Sequence, residues 1–238
     1  MQRPPTMEDV ARRAGVSRAL VSLVMRDSPK VSTERRTAVL AAAADLGYRP
    51  NILARNLASH RTRTVGIMVN DLHNPYFADV IEGIEQVGSH RGYRTIINSG
   101  WRRDEGEEAA IETLLEFRTD GLVLAGPRLD ERHIIGAAND VPVVAVGRAV
   151  DHPSVDTVNN DERVGARLVV EHLVGLGHER IVHVDGGGGA GAAARRMGYE
   201  RAMRDFGLDR HIRVFPGDFT EASGVQAASA ILARTWAG

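Results

Sequence analysis

Residues 6–26 read TMEDVARRAGVSRALVSLVMR and predict two short helices joined by a glycine turn. Thr6 can cap the first helix together with Asp9, and apolar residues then recur at the i, i+3, i+4, i+7 spacing of one helix face. Gly15 can adopt the left-handed conformation of a tight turn, and Ser17 offers a hydroxyl to cap the second helix. A helical hairpin inside a larger all-helical core has the same spacing, so this stretch alone leaves two interpretations open.

The second helix of this hairpin has an apolar and a polar face. Its inward face is predicted to contain Leu20, Val21, Val24 and Met25. Its outward face is predicted to contain Arg18, Ala19, Ser22 and Arg26. An outward face with this spacing is typical of a recognition helix that lies in the major groove of DNA.

The motifs that follow the hairpin are more specific. SPKVS at 28–32 predicts a loop that ends in a helix cap, and Val39, Leu40, Ala43 and Leu46 predict a third amphipathic helix that ends at Gly47. LGYRPN at 46–51 and ARNL at 54–57 come next. With DVARRAGVS at 9–17, this order of motifs closely resembles the lactose-repressor (LacI) family of bacterial transcription regulators.

The resemblance implies a repressor that binds a palindromic double-stranded DNA operator as a homodimer. It also implies a hinge segment that becomes helical on the operator, with Leu57 at the position of an apolar wedge between base pairs. A plain linker with an incidental leucine is the alternative. The positions predicted to contact DNA are Thr6, Ser17, Arg18, Ala19, Ser22, Leu23, Arg26, Asn51, Ala54, Arg55 and Leu57.

Charge is distributed unevenly along the chain, although the net charge of all 238 residues is only −1. Residues 1–63 carry twelve basic and five acidic side chains, a net charge of +7, and residues 64–238 carry a net charge of −8. A basic segment that includes the hairpin predicts a polyanionic partner. The chain has no cysteine, no apolar run long enough for a membrane span and no signal segment, which favours a cytoplasmic protein without a membrane partner.

From Thr64 onward, β-branched runs alternate with amphipathic helices, which predicts doubly wound parallel sheets. The predicted fold is an all-α headpiece followed by a two-lobe α/β core like that of periplasmic binding proteins. Residues 151–161 are interpreted as a crossover between the lobes. The predicted domains are a headpiece (1–50), a hinge helix and linker (51–63), a first lobe (64–155) and a partial second lobe (156–238).

The second lobe offers two clear strands and then a helix at 222–233, with no further strand. This pattern predicts an incomplete lobe, as in a truncated reading frame or a fragment. The homodimer is accordingly expected only with the remaining C-terminal part present.

Ligands of open α/β sheets bind outside the carboxyl ends of the strands, so the loops there are expected to hold a small-molecule effector. Polar groups beside aromatic rings after the first strand suit a polyol or a flat ring, and a carbohydrate is the expected ligand. By these criteria and by family position, the predicted effector contacts are Asp71, Asn74, Tyr76, Phe77, Arg148, Asp161, Arg195 and Phe219. Arg195 could instead be a surface residue paired with Glu200.

Other chemistry is weighed against this prediction. Gly186, Gly188 and Gly191 satisfy G-x-G-x-x-G, but the next strand ends in VFP at 214–216 without a ribose-binding carboxylate there, so a flexible pocket loop is preferred to a nucleotide site. His172, His178 and His183 lack a closing ligand for a metal. Glu107 and Glu108 are interpreted as lying on a solvated helix face.

No enzyme, cofactor or metal site is therefore predicted. The alternatives that stay open are a sugar-binding-like module without DNA function and a nucleotide-using α/β enzyme.

Overall fold

The computed structural model describes residues 3–49 and 61–235. The chain separates into two compact units, residues 1–62 and 63–238. The described helices are α1 Met7–Ala14, α2 Arg18–Met25, α3 Thr33–Asp45, α4 Pro75–His90, α5 Asp104–Glu116, α6 Glu131–Ala137, α7 Glu162–Gly175, α8 Ala192–Asp205 and α9 Glu221–Thr235. The described strands are β1 Thr64–Val69, β2 Arg94–Ser99, β3 Gly121–Ala125, β4 Val143–Val146, β5 Val155–Val158, β6 His183–Val184 and β7 Val214–Phe215. None of these helices is long and apolar enough to span a bilayer.

The N-terminal unit is the predicted three-helix headpiece. The Thr6 hydroxyl accepts from the backbone N–H of Asp9, whose carboxylate accepts from that of Thr6, so α1 begins with a full capping box. Gly15 ends α1 with φ of 66°, and Ser17 caps α2 by accepting from Leu20 at 3.2 Å. Both capping predictions are confirmed.

A small core holds these three helices together. It consists of Val10, Ala11, Val21, Val24, Val31, Val39, Ala42 and Ala43. The prediction that Leu40 and Leu46 belong to it is wrong, since they are 49% and 36% exposed. Ala42 lies on the buried face of α3 instead.

The first lobe is a five-stranded parallel sheet in the order β2-β1-β3-β4-β5. Thr64 pairs with Arg94 and Val65 with Gly121, so β1 lies between β2 and β3. The connection after β1 leads to β2 on one side and the connection after β3 leads to β4 on the other, which opens a crevice beyond the carboxyl ends of β1 and β3. Leu114, Leu122 and other apolar residues from the strands and from α5 and α6 form the core below it.

The interpretation of residues 151–161 as a plain crossover is wrong, because Val155–Val158 forms β5 at the edge of the sheet. Only Val155 is buried, and the next three residues are exposed. In the second lobe, only His183 and Val184 of the run RIVHV at 180–184 pair with β7.

The second lobe packs α7 and α8 against this short β6–β7 pair. Met203, Ala202 and Tyr199 of α8 are buried with Val170 of α7 and with Ile181. The Tyr199 hydroxyl donates to the carbonyl of Ile181 at 2.8 Å and accepts from the backbone N–H of Arg213 at 3.0 Å. The buried hydroxyl thus satisfies backbone groups that a longer strand pair would have joined directly.

Glu107 does not lie on a solvated face, in contrast to the prediction. Its side chain is fully buried at the start of α5, and its Oε2 accepts from the backbone N–H groups of Arg128 and Leu129 at 2.7 and 3.0 Å. Burial raises the pKa of Glu107, which these two bonds only partly offset. Glu107 therefore anchors the loop between β3 and α6.

Candidate functional site

A cavity of about 370 Å³ lies at the crevice beyond β1 and β3 and has walls from both lobes. Asn70 follows β1 directly, and its side-chain amide donates to the Gly126 carbonyl at 2.8 Å, which ties the two strand ends together. The full lining consists of Asn70, Asp71, Asn74, Tyr76, Phe77, Arg102, Gly126, Arg128, Gly147, Glu162, Gly189, Ala190, Arg195, Asp218 and Phe219.

Two phenyl rings of the cavity lie on glycine backbones. A Cβ at Gly126 would come within 2.4 Å of Phe77, and one at Gly186 or Gly189 within 2.1 or 2.4 Å of Phe219. A side chain at any of these positions would therefore require the ring or the backbone to shift. The glycine-rich loop at 186–191 therefore provides close approach for the Phe219 ring, which gives it a more specific role than the flexible pocket loop predicted from the sequence.

Arg195 lies at the centre of the second-lobe wall. Its guanidinium makes two hydrogen bonds to Glu162, one of them 2.9 Å long, and these bonds raise its pKa. Its Cζ lies 5.2 Å from the Phe219 ring centroid, in cation–π range. The alternative pairing with Glu200 is wrong, because Arg196 occupies that carboxylate.

Arg102 spans the cavity mouth from the first lobe to the second. It lies 3.9 Å from Asp71 on its own lobe and 3.6 Å from the carboxylate of Asp218 on the other, and it donates to the Asp218 carbonyl. Hydrogen bonding by Ser223 and then Thr220 lowers the pKa of Asp218 to about 2. Asp218 therefore stays ionised as a counter-charge to Arg102 at neutral pH.

Most of the residues predicted for the effector come together in this cavity. The predicted residues that line it are Asp71, Asn74, Tyr76, Phe77, Arg195 and Phe219. Arg148 and Asp161 do not line it. Arg148 donates to the Leu129 carbonyl, and Asp161 caps α7 by accepting from Val164.

The sequence prediction missed five charged or polar lining residues. These are Asn70, Arg102, Arg128, Glu162 and Asp218. Asn70, Arg102, Arg128 and Asp218 lie within three residues of the carboxyl end of a strand. A rule that weighed every charged side chain in these loops would have found most of them.

The headpiece exposes the residues expected on the outer face of α2. Arg18, Ala19 and Arg26 are exposed, whereas Ser22 is half-buried. Leu23 is also half-buried and packs against the headpiece core. The hydroxyls of Thr6 and Ser17 are engaged in helix caps. The predicted contacts Asn51, Ala54, Arg55 and Leu57 lie outside the described residues.

Within residues 3–49 and 61–235, no group of three or more His, Cys, Asp or Glu side chains could hold a metal ion. Of the three histidines considered, His172 and His178 are exposed. His183 stacks on Tyr199 with ring centroids 5.3 Å apart, and burial lowers its pKa.

Two family models match the chain. The one described as "Bacterial regulatory proteins, lacI family" matches residues 6–51. The one described as "Periplasmic binding proteins and sugar binding domain of LacI family" matches residues 62–235.

Individual relatives cover almost the whole chain. The HTH-type transcriptional regulator GalR of Escherichia coli is 34% identical over 96% of the chain and 68% of its own length, and catabolite control protein A of Priestia megaterium is 32% identical over 95% of the chain and 70% of its own length. Among solved structures, the lac repressor dimer bound to operator and the anti-inducer ONPF matches 98% of the chain and 71% of its own, with a TM-score of 0.83 at 28% identity.

Proposed function

The chain belongs to the LacI family of bacterial regulatory proteins, and we propose from this premise that it represses transcription by binding a palindromic operator under the control of a small-molecule effector. The observation that carries the proposal is the headpiece, in which α2 turns Arg18, Ala19 and Arg26 to solvent while its opposite face is buried. A recognition helix needs one face that packs against its own domain and another that contacts DNA.

Electrostatics support the DNA partner. The first 63 residues have a net charge of +7, and basic side chains on DNA displace counterions from phosphates. We assign Arg18 and Ser22 to polar readout of base edges, and Leu57 to a wedge at the centre of the operator. The residues between the headpiece and the core act as the hinge.

The cavity is the proposed effector site, and a carbohydrate or related metabolite is the proposed ligand. Its volume lies within the range of small-molecule sites, and it combines aromatic rings with polar groups that can fix a polyol. Because its walls come from both lobes, a ligand that bridges them favours one lobe arrangement. By linkage, that ligand then changes the affinity for operator.

The proposed oligomeric state and location follow from binding a palindromic operator inside a bacterial cell. The protein acts in the cytoplasm, and with a complete second lobe it acts as a homodimer, since two-fold operators match two-fold proteins. It has no catalytic role. GalR is a transcriptional regulator by name and the lac repressor is a repressor by name, and this favours regulation over the alternatives of a sugar-binding module and a nucleotide-using enzyme.

Selection of DNA from a random pool by the full chain tests the proposal. We expect a palindromic consensus, and we expect candidate sugars to change the amount of DNA retained. Arg18→Ala should relax the consensus at one base pair of each half-site, whereas Arg132→Ala, a matched change on α6, should leave it unaltered. If the DNA that the unmodified chain retains shows no enriched sequence, the proposal is contradicted.

A further inference from the structure

The charges that line the proposed effector cavity are unevenly paired. Arg195 is neutralised by Glu162 through two hydrogen bonds, and Arg102 lies between two carboxylates, Asp71 and Asp218. Arg128 differs from both. Among the described residues, no carboxylate lies within the 4.0 Å of an ion pair from its guanidinium.

Glu107 makes no ion pair with the Arg128 guanidinium. Its carboxylate accepts from the backbone N–H of Arg128 rather than from the guanidinium. Burial also raises the pKa of Glu107, which weakens it as a counter-ion. The half-buried Arg128 cation therefore faces the cavity without a matched negative charge.

Arg128 is also placed where both lobes meet. It belongs to the loop after β3 of the first lobe, and its Nη2 lies 3.1 Å from the point that a Cβ of Gly188 would occupy. Since Gly188 is part of the second lobe, the guanidinium lies against the backbone of the opposite wall. A group bound to Arg128 would contact both lobes at once.

The opposite charge balance holds around Arg102. Two carboxylates face this one guanidinium, and Arg102 and Asp71 also line an adjoining hollow of about 470 Å³ that Arg128 does not reach. The cavity is thus electronegative near Arg102 and electropositive near Arg128. Carboxylates such as Asp71 accept hydrogen bonds, so this side suits the hydroxyls of a polyol.

We propose that the effector is a small polyhydroxylated monocarboxylate, a sugar acid, with its carboxylate on Arg128 and its hydroxyls toward Asp71 and Asp218. A planar guanidinium binds a carboxylate through two parallel hydrogen bonds. One unpaired cation matches one negative charge, which favours a carboxylate over a doubly charged phosphate ester. The inference rests on the proposed effector site and adds the class of its ligand.

Calorimetric titration of the full chain in low-salt buffer tests this assignment, with D-gluconate, D-glucuronate, D-glucose and glucose 6-phosphate as probes. We expect at least one of the two acids to bind about tenfold or more tightly than glucose, since a hydrogen bond to a charged group contributes about this much. Arg128→Gln should bring the ratio of acid affinity to glucose affinity down to about one, and Arg128→Lys should keep part of the preference. Arg132→Gln, on an exposed arginine of the same lobe, should change neither.

Three results would overturn the inference. They are a preference for glucose over both acids, tighter binding of glucose 6-phosphate than of either acid, and an acid preference that survives in Arg128→Gln. Absence of binding by either acid to a chain that circular dichroism shows to be folded also counts against it. If the DNA selection fails but the chain still prefers acids in an Arg128-dependent way, the proposed repressor function is contradicted and the proposed ligand class is not.

Discussion

Replacing Gly126 with alanine should destabilise the core unit, because two separate features of the structure exclude a side chain there. Gly126 has φ of 67°, in the left-handed region. A Cβ would also lie 2.4 Å from Cζ of Phe77, whose ring is only 8% exposed and is packed against Val69 and Ala125.

The expected cost combines these two terms. The left-handed conformation costs an L-residue about 1–2 kcal/mol, and forcing extra volume into a packed site costs about 1–3 kcal/mol. Gly126→Ala should therefore lower the free energy of unfolding by about 2–5 kcal/mol. In a Phe77→Ala background the overlap is gone, so the same change should cost only the conformational part.

Urea unfolding followed by tryptophan fluorescence measures this cost in the core unit alone, because Trp101 and Trp236 are the only tryptophans and both lie beyond residue 63. Gly136→Ala is the matched control. It lies on α6 with open space around its Cβ position, and alanine should stabilise the helix by roughly 0.5–1 kcal/mol. Equal stability of Gly126→Ala and the unmodified chain would show that neither strain nor overlap operates.

Three further predictions concern other parts of the chain. Burial lowers the pKa of His183, so the unfolded state binds more protons than the folded state below the ordinary pKa of about 6.5. The stability of the core unit should therefore fall as the pH drops through this value. His183→Phe keeps a ring against Tyr199 and should flatten the profile of urea midpoint against pH. Thr6→Ala breaks the capping box with Asp9 and should cost the headpiece about 0.5–2 kcal/mol in thermal unfolding followed by circular dichroism, whereas an unchanged midpoint would exclude a stabilising cap. Leu57→Ala should weaken operator binding by about 1–3 kcal/mol with little effect on nonspecific DNA, and an equal loss on both in a gel-shift titration would rule out the wedge.

The first lobe was predictable where strands are buried on both faces. Gly121–Ala125 and Val143–Val146 are two of the apolar runs that predict a parallel sheet, and both form strands, because central parallel strands are continuous apolar runs. Val155–Val158 lies at the sheet edge and exposes Asp156 and Thr157. Its sequence therefore resembles a loop, and only pairing with β4 identifies it as a strand.

The errors at charged positions have a tertiary cause. Nothing near Glu107 in the sequence shows that the backbone N–H groups of Arg128 and Leu129 need a buried acceptor 21 and 22 residues away. Arg148 and Asp161 lie in the expected loops, yet local carbonyl and N–H groups take up their side chains. Sequence position located the loops of the site but not the direction of each side chain.

Equilibrium binding of the full chain to its selected duplex tests DNA recognition most directly. The binding is measured by fluorescence anisotropy between about 50 and 200 mM salt, a range that reveals counterion release. We expect the logarithm of the binding constant to fall linearly and steeply with the logarithm of salt, with the affinity lost reaching about 10³-fold over this range if a dimer contacts six or more phosphates. A scrambled duplex should bind more weakly at every salt concentration. A nearly flat plot, or equal affinity for the selected and scrambled duplexes, would contradict recognition of an operator by this headpiece.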